Sequence, residues 1–307
     1  MIVDVHHHYA PPSLADFLLR LRPQLRGYLS GPLVAGESRL DAMDDAGVDV
    51  ALLSIPHPAL LEAGSGRRAY TDLIRNANDD LIALAQRHPD RFGVLVALPL
   101  DEPGDAISEL DRVAGHELVR GVIAFTTSGT GLPLDAPELL PVYRRIGQRP
   151  VLLHPAMDEL TQQEPFRAFG LSSLAAPVEE SIAAARLMLS GMLDQAPDLT
   201  LIIPHLGGVL PYVIGRLTDQ AKGLAERDLM SYLTDRCLVD SCAYHHPALM
   251  CAVETLTPEH VVLGSDYPAR GSLSRAVSDI EGSPLGAADR TAILGGNAVR
   301  LGLARSR

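Results

Sequence analysis

The sequence predicts an α/β fold: a (β/α)8 TIM barrel, single domain over residues 1–307, with insertions in its βα loops. Two observations carry this. Short apolar runs rich in β-branched residues alternate eight times with longer helical patterns. Those runs are apolar almost throughout, as strands covered on both faces are. Eight such units in a chain of 307 residues suit a parallel barrel. The rival is a doubly wound open sheet, and it lacks its usual mark, because no GxGxxG follows a strand.

The elements follow in order. MIVDVH (1–6) reads as a strand, and ESRLDAMDDAG (37–47) as a helix stopped by Gly47. VDVALLSIP (48–56) is a strand closed by Pro56, and 67–89 is a long helix ending before Pro89. RFGVLVALP (91–99) is the third strand, 101–115 a helix, and LVRGVIAFT (118–126) the fourth strand. A helix over 136–148, interrupted by Pro141, leads to PVLLHP (150–155). A helix over 176–197 precedes LTLIIPH (199–205), and 207–226 is helical again. RCLVDS (236–241), a helix over 246–256, HVVLGSD (260–266) and a closing helix over 286–303 complete the pattern. The stretches 127–135 and 156–175 read as insertions after strand ends.

Bulk composition excludes several function classes. The net charge of −12 argues against a nucleic-acid partner, which needs clustered Lys and Arg. No run of about 18 apolar residues is present, so no membrane span is expected. The first residues are too few and too polar for a signal peptide. The three cysteines form no CxxC, and reduced thiols in a cytoplasmic protein are expected.

The strand ends carry the chemistry. In such a barrel the active site lies at the C-terminal ends of the strands. The first strand ends in His6-His7-His8, too short and too embedded for a purification tag. Residues two apart on a strand face the same way, so His6 and His8 project together. The fifth strand ends in His154, the sixth in His205 and the eighth in Asp266. Any one of these alone is commonly a surface or capping residue. Their recurrence at one pole has no packing reason, and three or four imidazoles with one carboxylate suit zinc or a similar divalent ion. His57 ends the second strand and is a further candidate for the pocket wall.

The set Asp4-x-His6-x-His8-x-x-Pro11, His154-Pro155, His205-x-Gly207-Gly208 and Gly264-Ser265-Asp266-x-Pro268 resembles the amidohydrolase superfamily. The likeness runs on to Gly296-Asn297-Ala298-x-Arg300-Leu301. The nearest branch is that of aminocarboxymuconate semialdehyde decarboxylase and the related aromatic-acid decarboxylases. The resemblance implies that His6, His8, His154 and Asp266 ligate one divalent metal ion, zinc first and manganese second. It implies His205 as the acid/base, Arg39 as a grip on a substrate carboxylate, and Arg216 as an arm reaching the active site of a homodimer partner. Other branches bridge two metals with a carbamylated lysine on the fourth strand. That strand has no lysine here, and Lys222, the only one in the chain, falls in a helix. The chain has no Trp and five Phe, so Tyr9, Phe125 and Tyr267 are candidates for the aromatic wall the decarboxylases commonly have. The expected reaction is non-oxidative decarboxylation of a small unsaturated or aromatic carboxylic acid. The alternative is hydrolysis of an amide or lactone at the same site, where Asp266 would shuttle the proton.

Overall fold

The structure is a computed structural model and describes residues 1–56, 67–127, 131–156 and 169–305. Eight parallel strands pair in sequence order: β1 (Val3–His8), β2 (Val50–Ser54), β3 (Phe92–Ala97), β4 (Val119–Phe125), β5 (Val151–His154), β6 (Leu201–Ile203), β7 (Cys237–Asp240) and β8 (Val261–Val262). The ring closes between the last strand and the first. Val5 N–H donates to the Leu263 carbonyl, Asp266 N–H to His6 and His8 N–H to Tyr267. The expected barrel is therefore present.

Helices cover the outside. They include α1 (Pro12–Leu21), α2 (Arg39–Ala46), α3 (Arg67–Arg87), α4 (Pro103–Val113) and α5 (Leu140–Ile146). The second half adds α6 (Ser172–Leu189), α7 (Met192–Gln195), α8 (Leu210–Gln220), α9 (Leu229–Arg236), α10 (His246–Leu256), α11 (Leu273–Glu281), α12 (Ala287–Thr291) and α13 (Asn297–Arg300). The described residues of β1 and β3 are buried along their whole length, which is why they read as unbroken apolar runs. Each fully buried Leu, Ile or Val contributes about 1.5–3 kcal/mol.

Some boundaries differ from the sequence reading. Pro141 sits in the first turn of α5 rather than interrupting it, the one helical position where its missing N–H costs nothing. The helix expected over 207–226 is shorter, because residues 204–207 make a tight turn first, with His205 and Leu206 left-handed at φ 52° and 57°. Helices α9 and α11 lie in stretches to which the sequence pattern assigns no element. The eighth strand pairs for two residues only, and the chain from Leu263 to Asp266 then leans across to β1.

That turn after β6 is fixed by close packing. Gly208 has φ +62°, and a Cβ there would collide with the Pro177 carbonyl and Ser181 Oγ of α6. Val209 N–H is capped by the same Ser181 hydroxyl at 2.8 Å. Helix α6 is thereby pressed against the strand end that carries His205.

Candidate metal centre

Three imidazoles and one carboxylate converge at the C-terminal pole. His8 Nε2 lies 3.0 Å from His6 Nε2 and 3.1 Å from His154 Nε2. Asp266 Oδ1 is 3.3 Å from His8 Nε2 and 3.7 Å from His6 Nε2. All four residues are buried, and their ligand atoms lie within 4.8 Å of one another. They come from β1, β5 and the segment after β8.

Each ring is held from behind. His6 Nδ1 meets Asp240 Oδ2 at 2.6 Å, His8 Nδ1 meets Ser54 Oγ at 3.1 Å, and His154 Nδ1 meets the Pro155 carbonyl at 3.1 Å. A carboxylate and a carbonyl only accept, so the neutral rings of His6 and His154 carry their proton on Nδ1. Their Nε2 lone pairs then point at one another and at His8. Lone pairs at this spacing repel unless a cation lies among them, so the donor set fits a divalent ion. Imidazoles oriented by outer carboxylate and carbonyl partners are the usual surroundings of such an ion.

Asp4 anchors the pole. It accepts from Ser265 N–H at 2.9 Å, Ser265 Oγ at 2.6 Å and His7 Nδ1 at 2.9 Å. These bonds pin the residue next to Asp266 against β1. His7 points away from the cluster, and burial pushes its imidazole down to about 4.

His205 stands beside the four, its ring 5.8 Å from that of His6. Its backbone N–H donates to Asp240 Oδ1 at 2.8 Å, and its Nδ1 lies 3.0 Å from both oxygens of Glu180. Burial alone would lower its pKa. The Glu180 carboxylate outweighs that, with Asp240 and Asp266 behind it, and pushes it up to about 10. Burial would likewise raise the Asp240 carboxyl, but the His6 hydrogen bond and the nearby imidazoles hold it below the usual range. Sequence reasoning missed Asp240 and Glu180. Asp240 had a signal, since it is one more polar residue at a strand end. Glu180 had none, since Glu179-Glu180 reads as the solvent side of a helix.

The cluster opens into a cavity of about 1030 Å³. Leu18, Leu25, Tyr28 and Tyr244 line it with Arg270 and Arg275. Arg270 donates to Ser172 Oγ at 2.9 Å, and the Arg275 guanidinium lies 4.5 Å from the centre of the Tyr244 ring.

The other expected residues fall elsewhere. Arg39 is wholly buried, and its guanidinium donates to the carbonyls of His8 at 2.7 Å, Gly36 at 2.7 Å and Pro32 at 2.9 Å. Neither it nor Tyr9, whose ring packs 4.9 Å from the Arg39 guanidinium, is among the cavity-lining residues. Arg39 is placed as a brace beneath His8 rather than as a grip on a carboxylate. Arg39→Ala removes three hydrogen bonds to carbonyls, of which the one to the buried His8 carbonyl costs about 1–3 kcal/mol. We expect a loss of about 3–5 kcal/mol in chemical denaturation. A raised KM with an unchanged denaturation midpoint would restore the grip. Arg216 is exposed on α8 and does not line the cavity of its own chain. Phe125 packs edge-on to His154 at 5.5 Å, and Tyr267 lies 5.2 Å from His7. His57 lies outside the described residues, as do parts of both expected insertions. The described cysteines are all free, and no described helix is long and apolar enough to cross a membrane.

Comparison with known proteins agrees with this geometry. A family model described as amidohydrolase matches residues 3–301. The gamma-resorcylate decarboxylase of Rhizobium sp. (strain MTP-10005) is 29% identical over 285 residues, covering 86% of each chain. The 2-amino-3-carboxymuconate-6-semialdehyde decarboxylase of Dictyostelium discoideum is 26% identical over 284 residues, covering 86% of this chain and 76% of its own. The crystal structure of 2,6-dihydroxybenzoate decarboxylase from Rhizobium superposes with a TM-score of 0.85 at 26% identity, covering 98% of both chains.

Proposed function

This chain belongs to the amidohydrolase family, and from that premise we propose that it is a metal-dependent, non-oxidative decarboxylase of a small aromatic carboxylic acid. The observation that carries the reading is the buried His6, His8, His154 and Asp266 cluster at the floor of an apolar cavity with arginines in its wall. The activities named for its relatives support it. His6, His8, His154 and Asp266 would hold one divalent ion. Zinc is the ion we expect from that donor set, with manganese as the alternative.

When bound, the ion supplies positive charge that draws in the acid's oxygens and stabilises negative charge developing there. The chain's own residues do the rest. Leu18, Leu25 and Tyr28 take the flat apolar body of the acid. Arg270 and Arg275 offer forked donors to an anionic or hydroxyl substituent. His205 Nε2, turned to the cavity because Glu180 holds Nδ1, delivers a proton to the carbon bearing the carboxylate. The bond from that carbon to the carboxylate then breaks, its electron pair stays on the carbon, and CO₂ leaves. His205 recovers its proton from solvent entering the cavity.

The test is a panel of hydroxybenzoic and unsaturated acids assayed for CO₂ release, with metal content read by elemental analysis. CO₂ release that chelation abolishes and zinc or manganese restores is the expected result. Cleavage of amides or lactones without any CO₂ would move the site to hydrolysis. Arg270→Ala and Arg275→Ala should each raise KM about 10-fold or more, given about 1.5–3 kcal/mol for a hydrogen bond to a charged group. An unchanged KM in both variants removes them from the substrate. Arg216 can enter a site only in a second copy of the chain. We propose a homodimer on that basis, and a monomer in gel filtration at micromolar concentration would leave Arg216 outside.

A further inference from the structure

Beside the four-residue cluster lies a second one that the proposed reaction does not use in full. His205, Cys242 and Asp266 each present a ligand atom within 4.8 Å of the others, and all three line the cavity. Cys242 follows β7 by two residues, its side chain buried, and its backbone N–H donates to Asp240 Oδ1 at 3.0 Å. The same carboxylate oxygen binds the backbone N–H of His205, so one aspartate sets both residues.

His205 is also dressed as His6 is. In each, Nδ1 is held by a buried carboxylate, Asp240 behind His6 and Glu180 behind His205. That arrangement fixes Nε2 as the nitrogen offered to a ligand, and it is the common setting of a metal-binding imidazole. Asp266 has two oxygens. With Oδ1 facing His6 and His8, Oδ2 is left for a neighbour, as in carboxylates shared between two ions. The donor set differs from the first cluster by its sulfur. Thiolate selects soft ions over hard ones.

We propose that His205, Cys242 and Asp266 form a second cation site for a thiophilic divalent ion such as zinc or cadmium, distinct from the cluster of His6, His8 and His154. On binding, the Cys242 thiol releases its proton to solvent and the sulfur becomes a ligand. Occupation ties up His205, so a second equivalent of a soft ion silences the turnover that the first supports. A hard ion such as magnesium or manganese does not fill it. The binding itself is independent of which acid the enzyme turns over.

The experiment loads metal-free protein with cadmium alone. Two ions per chain by elemental analysis are expected, with one thiolate-to-cadmium absorption band in the near ultraviolet. Cys242→Ser should bind one ion per chain and show no band, with Cys242→Ala as the companion if the serine variant does not fold. Circular dichroism checks folding in both. Cys251→Ser, at the edge of the same cavity, should keep both the second ion and the band. One ion per chain without a band in the unaltered protein overturns the proposal. So does a band that persists in the folded Cys242 variants. Neither outcome touches the decarboxylase reading, which rests on CO₂ release.

Discussion

Replacing His8 with alanine should remove the divalent ion and the turnover together. His8 is the middle of the cluster, with Nε2 within 3.3 Å of nitrogen or oxygen from each of the other three residues. No neighbour can take its place. Its ring is buried, with Ser54 Oγ behind it on the β2 side. Elemental analysis should fall from about one ion per chain to none, and activity to background. Ser54→Ala, which removes only the partner of His8 Nδ1, should weaken metal binding about 10–100-fold and leave the ligand set intact. The ion also stabilises the fold by mass action, by about 2.7 kcal/mol at 100 times its dissociation constant. Chelation should therefore lower the melting temperature of the unaltered protein and leave that of His8→Ala where it was. A variant that keeps its ion at full occupancy would sink the assignment.

His205→Asn should cost about 10²–10⁴ in kcat, the usual worth of a positioned acid or base, with the ion of the four-residue cluster retained. Glu180→Gln tests the same step with less damage. The charged carboxylate, not burial, raises His205, so its loss must lower the imidazole pKa. The form that donates is the protonated one. It persists below the folded pKa and is lost as pH rises through it. In Glu180→Gln the alkaline limb of the rate profile should therefore move to lower pH, by about 1–3 units. A bound cation lowers both starting points without changing that sign. A profile that does not move would make Glu180 a packing residue, and Glu180→Asp should restore part of any shift.

The legible part of this site was the part that a strand end announces. His6, His8, His154, His205 and Asp266 interrupt apolar runs at one pole, and the barrel alternation places that pole without further help. The arginines were read through resemblance and fared differently. Arg39 sits in a helix start that looks solvated, but its side chain turns inward onto three carbonyls. Nothing in its neighbours reveals that inward turn. Glu180 was hidden for the opposite reason. It lies 25 residues before His205, on a helix whose close approach is allowed by Gly208, just beyond that histidine. Arg270 lies in the turn after Asp266 and Arg275 in the first turn of α11, whose buried face of Leu273, Ala276, Val277 and Ile280 leaves the arginine on another side, and periodicity does not say that this side meets the cavity. Local pattern records which residues sit on a strand; it does not record which helix is allowed close to it.

The seam between the first and last strands has a consequence for how the centre comes into being. Asp4 and Ser265, whose bonds lock Asp266 beside His6 and His8, are 261 residues apart. A chain emerging from the ribosome displays two of the four ligands almost at once and lacks the fourth until synthesis is nearly over. Contacts of such separation form late, because the closure of a long loop must precede them. No partial product can capture the ion in its working geometry. Metallation is therefore the final act of assembly, performed on a barrel already shut, and the first strand must wait unpaired on one side until the eighth arrives.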